Sequence, residues 1–110
     1  MKDDRIYLRH IAEAVDDIER YTAAGFEAFL ENRMQQDAVI RKLEIVGEAA
    51  KHLSASIKEN QPEIPWREIA AMRDKMIHEY FGVNLEVVWT VVERNLPELK
   101  RAIGELLKNR

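Results

Sequence analysis

Arg73 and His78 stand five residues apart in the run Arg73-Asp74-Lys75-Met76-Ile77-His78-Glu79-Tyr80, and together they bring two abilities that phosphate chemistry needs. A guanidinium stays cationic at any working pH, and its planar fork can take two oxygens of one phosphate. An imidazole, with an unperturbed pKa of about 6.5, gives and takes protons near neutrality. On a helical wheel of about 100° per residue, Trp66, Ile69, Ala70, Met76, Ile77 and Tyr80 all fall within roughly 60° of Arg73, so the cation lies inside an apolar stripe. Burying it unpaired would be costly. Either this face opens toward an anion, or the aliphatic stem packs while the charged head reaches a carboxylate such as Glu44 or Glu48 on the preceding long helix. His78 lies about 140° around the same wheel. For the two side chains to meet, the helix must loosen near Gly82 or a second subunit must oppose it. Taken alone, a histidine at a helix end is more often structural or simply exposed.

The elements that must position this pair are all helical. Tyr7, Ile11, Ala14, Ile18 and Tyr21 recur at helical spacing, which predicts a first helix from Asp4 to about Ala24, stopped by Gly25. A short helical turn is expected over 26–31. Asn32, with Gln35 three residues on, has the form of a capping pair, and it opens a longer helix whose stripe is Val39, Leu43, Val46, Ala50, Leu53 and Ile57. Ser, Asn and two Pro between Ser54 and Pro65 predict fraying near Ser54 and a crossing to the next element. Pro65 suits the first position of a third helix, which runs from Trp66 to about Tyr80. Asn84 is placed to cap a fourth helix beginning at Leu85. Pro97 should kink or divide the last stretch and leave Glu98 to Lys108 as a short terminal helix. The expected architecture is an all-α, up-and-down four-helix bundle with one or two extra short helices, in one domain over 1–110. Trp66, Ile69 and Met76 would contribute either to its core or to a two-fold interface.

Bulk properties narrow the partners. The chain has 110 residues, 46% hydrophobic and 34% charged, with no cysteine and a net charge of −3. No apolar run approaches the roughly 20 residues of a membrane span, and the opening Met1-Lys2-Asp3-Asp4-Arg5 has no apolar signal segment, so a cytoplasmic protein is expected. A net negative charge argues against a general electrostatic grip on nucleic acid. The imbalance is uneven, however: residues 1–32 hold eight acids and four bases, residues 33–110 twelve acids and thirteen bases. Phosphate contacts are therefore expected from the later part. Metal chemistry finds no support: His78-Glu79 is not followed by a second His at zincin spacing, and Glu48 and His52 are four apart where di-iron bundles use three. No cofactor is expected.

The run Arg73 to Tyr80 resembles the signature of the HEPN superfamily of ribonucleases, an Arg followed after four to six residues by His. Tyr80, two places beyond His78, is the more particular form of HepT toxins. The setting agrees with that likeness: Asp37 to Lys51 resembles the long second helix of HepT-like proteins, Ile64-Pro65-Trp66 their lead-in to the motif helix, and Tyr80-Phe81-Gly82-Val83-Asn84 with Val88-Trp89 the downstream part. The resemblance implies a HEPN fold and a homodimer in which two motif copies meet in a cleft. It implies a toxin acting as a metal-independent endoribonuclease on RNA, with Arg73 and His78 catalytic and Asp74 a supporting polar residue. It also implies a cognate MntA-type nucleotidyltransferase antitoxin that attaches AMP to Tyr80. A phosphate added beside Arg73 would fill the anion site, which gives neutralisation a physical logic. The rival expectation is a non-catalytic HEPN module that binds nucleotide or scaffolds a nucleotidyltransferase.

Overall fold

A computed structural model describes residues 3–78 and 84–108, except for the side chains of 76–78. Its long helices are α1 (Asp4–Tyr21), α3 (Arg33–Lys51), α5 (Trp66–His78) and α7 (Leu96–Lys108), with the short helices α2 (Phe26–Glu31), α4 (Ala55–Glu59) and α6 (Leu85–Thr90) between them. No strand occurs among the described residues. The helix starts follow local chemistry. The Asp3 carboxylate accepts from Arg5 N, the Asn32 side chain from Gln35 N at 2.9 Å, and the Asn84 side chain from Glu86 N at 2.8 Å. The Gln35 side chain does not close the reciprocal half of a capping box; its amide donates instead to the Tyr21 carbonyl and so ties α3 to the end of α1. Gly25, at φ 97°, makes the turn between α1 and α2 in a region of backbone space that costs other residues dearly.

Two stretches differ from the sequence expectation. The crossing after α3 contains the helix Ala55–Glu59, because Ser54 can serve two partners. Its hydroxyl caps Ile57 N at 3.4 Å and donates to Asp4 Oδ2 at 2.7 Å, while Ser54 N donates to Asp4 Oδ1 at 2.9 Å. That carboxylate fastens the start of α1 to the α3–α4 junction. Near the other end, the division expected at Pro97 falls just ahead of it: the terminal helix α7 begins at Leu96, two residues earlier than expected, with Pro97 in its first turn. A π turn over Val91–Asn95 precedes it, with Leu96 N reaching back to the Val91 carbonyl. The wider turn absorbs the hydrogen bond that proline cannot make.

The core is continuous: Leu8, Ile11 and Ile18 of α1, Val39, Leu43 and Val46 of α3, and Leu99 and Ile103 of α7 are essentially sealed from solvent. Trp66 and Ile69 belong to this core, and the Trp66 indole donates to the carbonyls of Gln61 at 3.0 Å and Lys58 at 3.2 Å, so its one polar atom is satisfied. Phe26 and Phe29 pack against Trp89, each with ring centroids 5.3 Å away, and anchor α2 to α6.

Helix α3 comes close against α5 at Gly47. A Cβ placed there would stand 2.7 Å from Arg73 N and 3.0 Å from the Ile69 carbonyl oxygen. Gly47→Ala gains about 1 kcal/mol in helix propensity but drives a methyl into backbone that cannot swing aside, an overpacking cost of about 1–3 kcal/mol. The clash should prevail, with a net loss of stability in chemical denaturation; an unchanged or raised midpoint would refute it. A second expectation concerns acid. Lys42 Nζ lies 2.9 Å from Asp17 Oδ2, bridging α3 to α1, and its hydrogen bond holds the Asp17 carboxyl below its ordinary value of 3.8. A lowered folded-state pKa stabilises above the unfolded value and is lost as pH falls through the folded one. Lys42→Met should therefore flatten the decline of stability below pH 3.8 while changing little in its slope near neutrality.

Candidate active site

Arg73 lies in the third turn of α5, and its position is set by α3. Gly47 lets the α5 backbone come against α3, and Glu48, the next residue on α3, then meets the guanidinium: Arg73 Nε donates to Glu48 Oε1 at 2.9 Å. Arg73 Nη1 also donates to Asp74 Oδ1 at 3.2 Å. Of the two ways to satisfy a cation in this stripe, the structure has the charged head reaching a carboxylate, and that carboxylate is Glu48 and not Glu44, which pairs with Arg41 at 3.2 Å.

The pairing does not close the site. The Arg73 side chain is 40% exposed, that of Glu48 45% and that of Asp74 57%. Ion pairs this accessible are worth about 0–1 kcal/mol, whereas a bidentate hold on a phosphate is charge-assisted at both N–H groups. Glu48 therefore steadies the Arg73 fork while leaving it able to exchange to an incoming anion.

A cleft of about 460 Å³ opens beside the fork, between α1, α3 and α5. Tyr7 and His10 of α1 line one wall, Arg41, Glu44, Glu48 and the α3 cap residue His52 the other, and Arg73 its α5 end. The second oxygen of Glu48 lies 3.1 Å from His52 Nε2. The His52 ring stacks on Tyr7, with centroids 5.0 Å apart and planes 18° from parallel, and His10 meets Tyr7 edge-on at 6.2 Å. Arg73, Glu48, His52 and Tyr7 thus form one connected row of contacts lining the cleft.

His78 is the last residue of α5; its side chain, and Tyr80 altogether, lie outside the described residues, so the expected meeting of Arg73 with His78 is not among the contacts seen. Asp74 is placed against Arg73. Sequence reasoning read Tyr7 only as part of the α1 stripe, weighed His52 with Glu48 only as a metal pair, and did not consider His10. The available signal was their spacing: Tyr7 and His10 are three apart on α1, Glu48 and His52 four apart on α3, each pair on one helix face. Among the described residues, no group of three or more His, Asp or Glu is arranged to hold a metal ion, and no helix is long and apolar enough to cross a membrane.

Comparison with known proteins gives a consistent result. A model of the family described as ribonuclease HepT-like matches residues 11–106. A protein of Caldanaerobacter subterraneus named as a candidate RNase is 43% identical over 109 residues, 98% of this chain and 97% of its own. A protein of Thermococcus cleftensis named "Probable ribonuclease HepT" is 50% identical over 103 residues, 93% of this chain and 94% of its own. A further candidate RNase, from Methanocaldococcus jannaschii, is 40% identical over 109 residues, 98% and 90% of the two chains. No solved structure matches the chain.

The Glu48–Arg73 contact yields its own expectation. Glu48→Ala should shift stability by less than about 1 kcal/mol and raise the affinity of Arg73 for inorganic phosphate, seen as a phosphate-dependent change of its Nε–H resonance at lower anion concentration than in the parent. A weakened phosphate response would mean that Glu48 instead holds the fork in its only anion-competent pose.

Proposed function

The chain belongs to the ribonuclease HepT-like family, and from that premise and the Arg73 geometry we propose that it is a metal-independent endoribonuclease, the toxin of a toxin–antitoxin pair. The observation that carries the reading is a half-exposed arginine, lightly held by Glu48 on the rim of a polar cleft, in a helix that also carries His78. In the proposed reaction the 2′-hydroxyl of RNA gives its proton to a His78 imidazole and attacks the adjacent phosphorus. The bond to the 5′-oxygen breaks, and that oxygen takes a proton from an imidazolium, leaving a 2′,3′-cyclic phosphate and a 5′-hydroxyl. Arg73 offsets the charge that grows on the non-bridging oxygens, a contribution that a fixed cation makes without reorganising. One imidazole cannot be protonated and unprotonated at once, so a homodimer supplying two His78 rings to one cleft meets the need for a base and an acid. Asp74, bound to Arg73 Nη1, limits the ways the fork can turn.

Control is proposed at Tyr80, by an MntA-type nucleotidyltransferase antitoxin that attaches AMP. Added phosphates two residues beyond His78 would offer Arg73 a tethered anion at high effective concentration and exclude RNA. The action is cytoplasmic, where RNA and nucleotide donors are at hand. A second reading, a non-catalytic module that binds nucleotide or scaffolds a nucleotidyltransferase, draws on the fact that Glu48 already satisfies Arg73.

In chelator, purified protein should cut RNA to products ending in cyclic phosphate, and Arg73→Ala or His78→Ala should each lower the rate by about 100-fold or more. Expression without the antitoxin should slow growth for the parent alone; equal inhibition by all three forms would select the scaffold. After co-expression with the antitoxin, mass spectrometry should place the adduct on Tyr80, and an inactive complex with unmodified Tyr80 would rule out that mode of control.

A further inference from the structure

We propose that the cleft between α1, α3 and α5 is a nucleotide subsite, in which Tyr7 and His52 form the aromatic platform for the base attached to the phosphate that Arg73 holds. The inference rests on the nuclease reading and deepens it, adding substrate contacts on α1 and α3 outside the segment from Arg73 to Tyr80.

Size, distance and chemistry agree on such an occupant. The volume of about 460 Å³ lies within the roughly 300–1,000 Å³ in which small ligands are held. Arg73 Nε and His52 Nε2 stand on the two oxygens of the same carboxylate, at 2.9 and 3.1 Å. The cation and the first ring of the platform are therefore separated by the width of one carboxyl group, which a single nucleotide spans. Every base has a π face, and aromatic side chains bind unpaired bases through it with little regard to sequence. Tyr7 and His52 offer two near-parallel rings, so a base laid on either continues an existing stack. Around that surface the Glu44 and Glu48 carboxylates accept hydrogen bonds from ribose hydroxyls or exocyclic amino groups.

The same geometry restricts the ligand. Double-stranded RNA keeps its bases paired and stacked on each other, so a cleft that takes one base on a protein ring selects a single-stranded segment. Arg73 stands at the α5 end of the cleft and Tyr7 on its α1 side, which makes Arg73 the phosphate end and Tyr7 the base end.

The probe is the ribonucleoside 3′-monophosphate of 2-aminopurine, which has no internucleotide bond to cut and whose fluorescence falls on stacking. Wild-type protein should quench it saturably, and Tyr7→Leu, which keeps apolar bulk against the core but removes the aromatic face, should weaken binding about tenfold or more. His52→Ala, at a half-exposed helix cap, gives the same readout should Tyr7→Leu fail to fold. Equal binding by wild type and a folded variant, or no quenching by wild type, overturns the subsite. Parallel assays of RNA cleavage separate the two ideas. Cleavage without Tyr7-dependent quenching sinks the subsite and leaves the nuclease, whereas Tyr7-dependent quenching without cleavage sinks the nuclease and leaves a nucleotide-binding site.

Discussion

Gly47 has no side chain, and the α5 backbone occupies the space where one would be. A methyl there would come within 2.7 Å of Arg73 N, closer than packed atoms tolerate, so the absence of a single carbon sets how near α5 lies to α3. That nearness has a chemical consequence. It puts the root of Arg73 against α3 one residue from Glu48, and a long, flexible cation becomes a fork held at its Nε edge. Arginine side chains lose much rotamer entropy when ordered. Holding the fork beforehand narrows the orientations it can take, and a phosphate that binds Arg73 must displace the carboxylate that holds it.

The hold is weak enough to be useful. Were the Arg73–Glu48 pair buried, drawing either partner away would leave the other an uncompensated buried charge, and the cation would serve the fold alone. With both partners half exposed, water screens the attraction, and the arginine is oriented but still able to exchange partners. Glu48 also faces His52, which stacks on Tyr7, so the orientation of the cation and of the ring platform have a common origin on α3. The electrostatic and the aromatic halves of the cleft are in this sense one construction.

Much of this was legible in the residues themselves. The apolar stripes of α1 and α3, the caps Asn32 and Asn84, and the start of α5 after Pro65 follow from local periodicity and capping chemistry, which act over a few neighbours. So did the conflict of an arginine inside an apolar stripe, including Glu48 as one of two carboxylates able to resolve it. Less was legible where the deciding partner is remote in sequence. Ser54 opens α4 while holding Asp4, 50 residues away; nothing in its own neighbourhood says so. The stack of Tyr7 on His52 likewise needs α1 and α3 to be brought alongside, and helical spacing gives the face of each residue but not the register between helices. Pro97 was read as kinking or dividing the last stretch because proline removes one hydrogen bond; the break does fall there, but its form, a π turn over Val91–Asn95, was not legible.

The Asp4–Ser54 clasp has a dynamic consequence. It sits at the first turn of α1, where helices fray most readily, and it consists of two hydrogen bonds to one carboxylate, while the rest of α1 is secured by Leu8, Ile11, Val15 and Ile18 in the interior. Partial openings of proteins begin at such ends, at free energies far below global unfolding. Tyr7 lies within the turn the clasp restrains. Peeling of this one turn would widen the mouth between α1 and α3 while the remaining bundle stays intact, a breathing motion that amide exchange at the start of α1 would register as faster than at its middle.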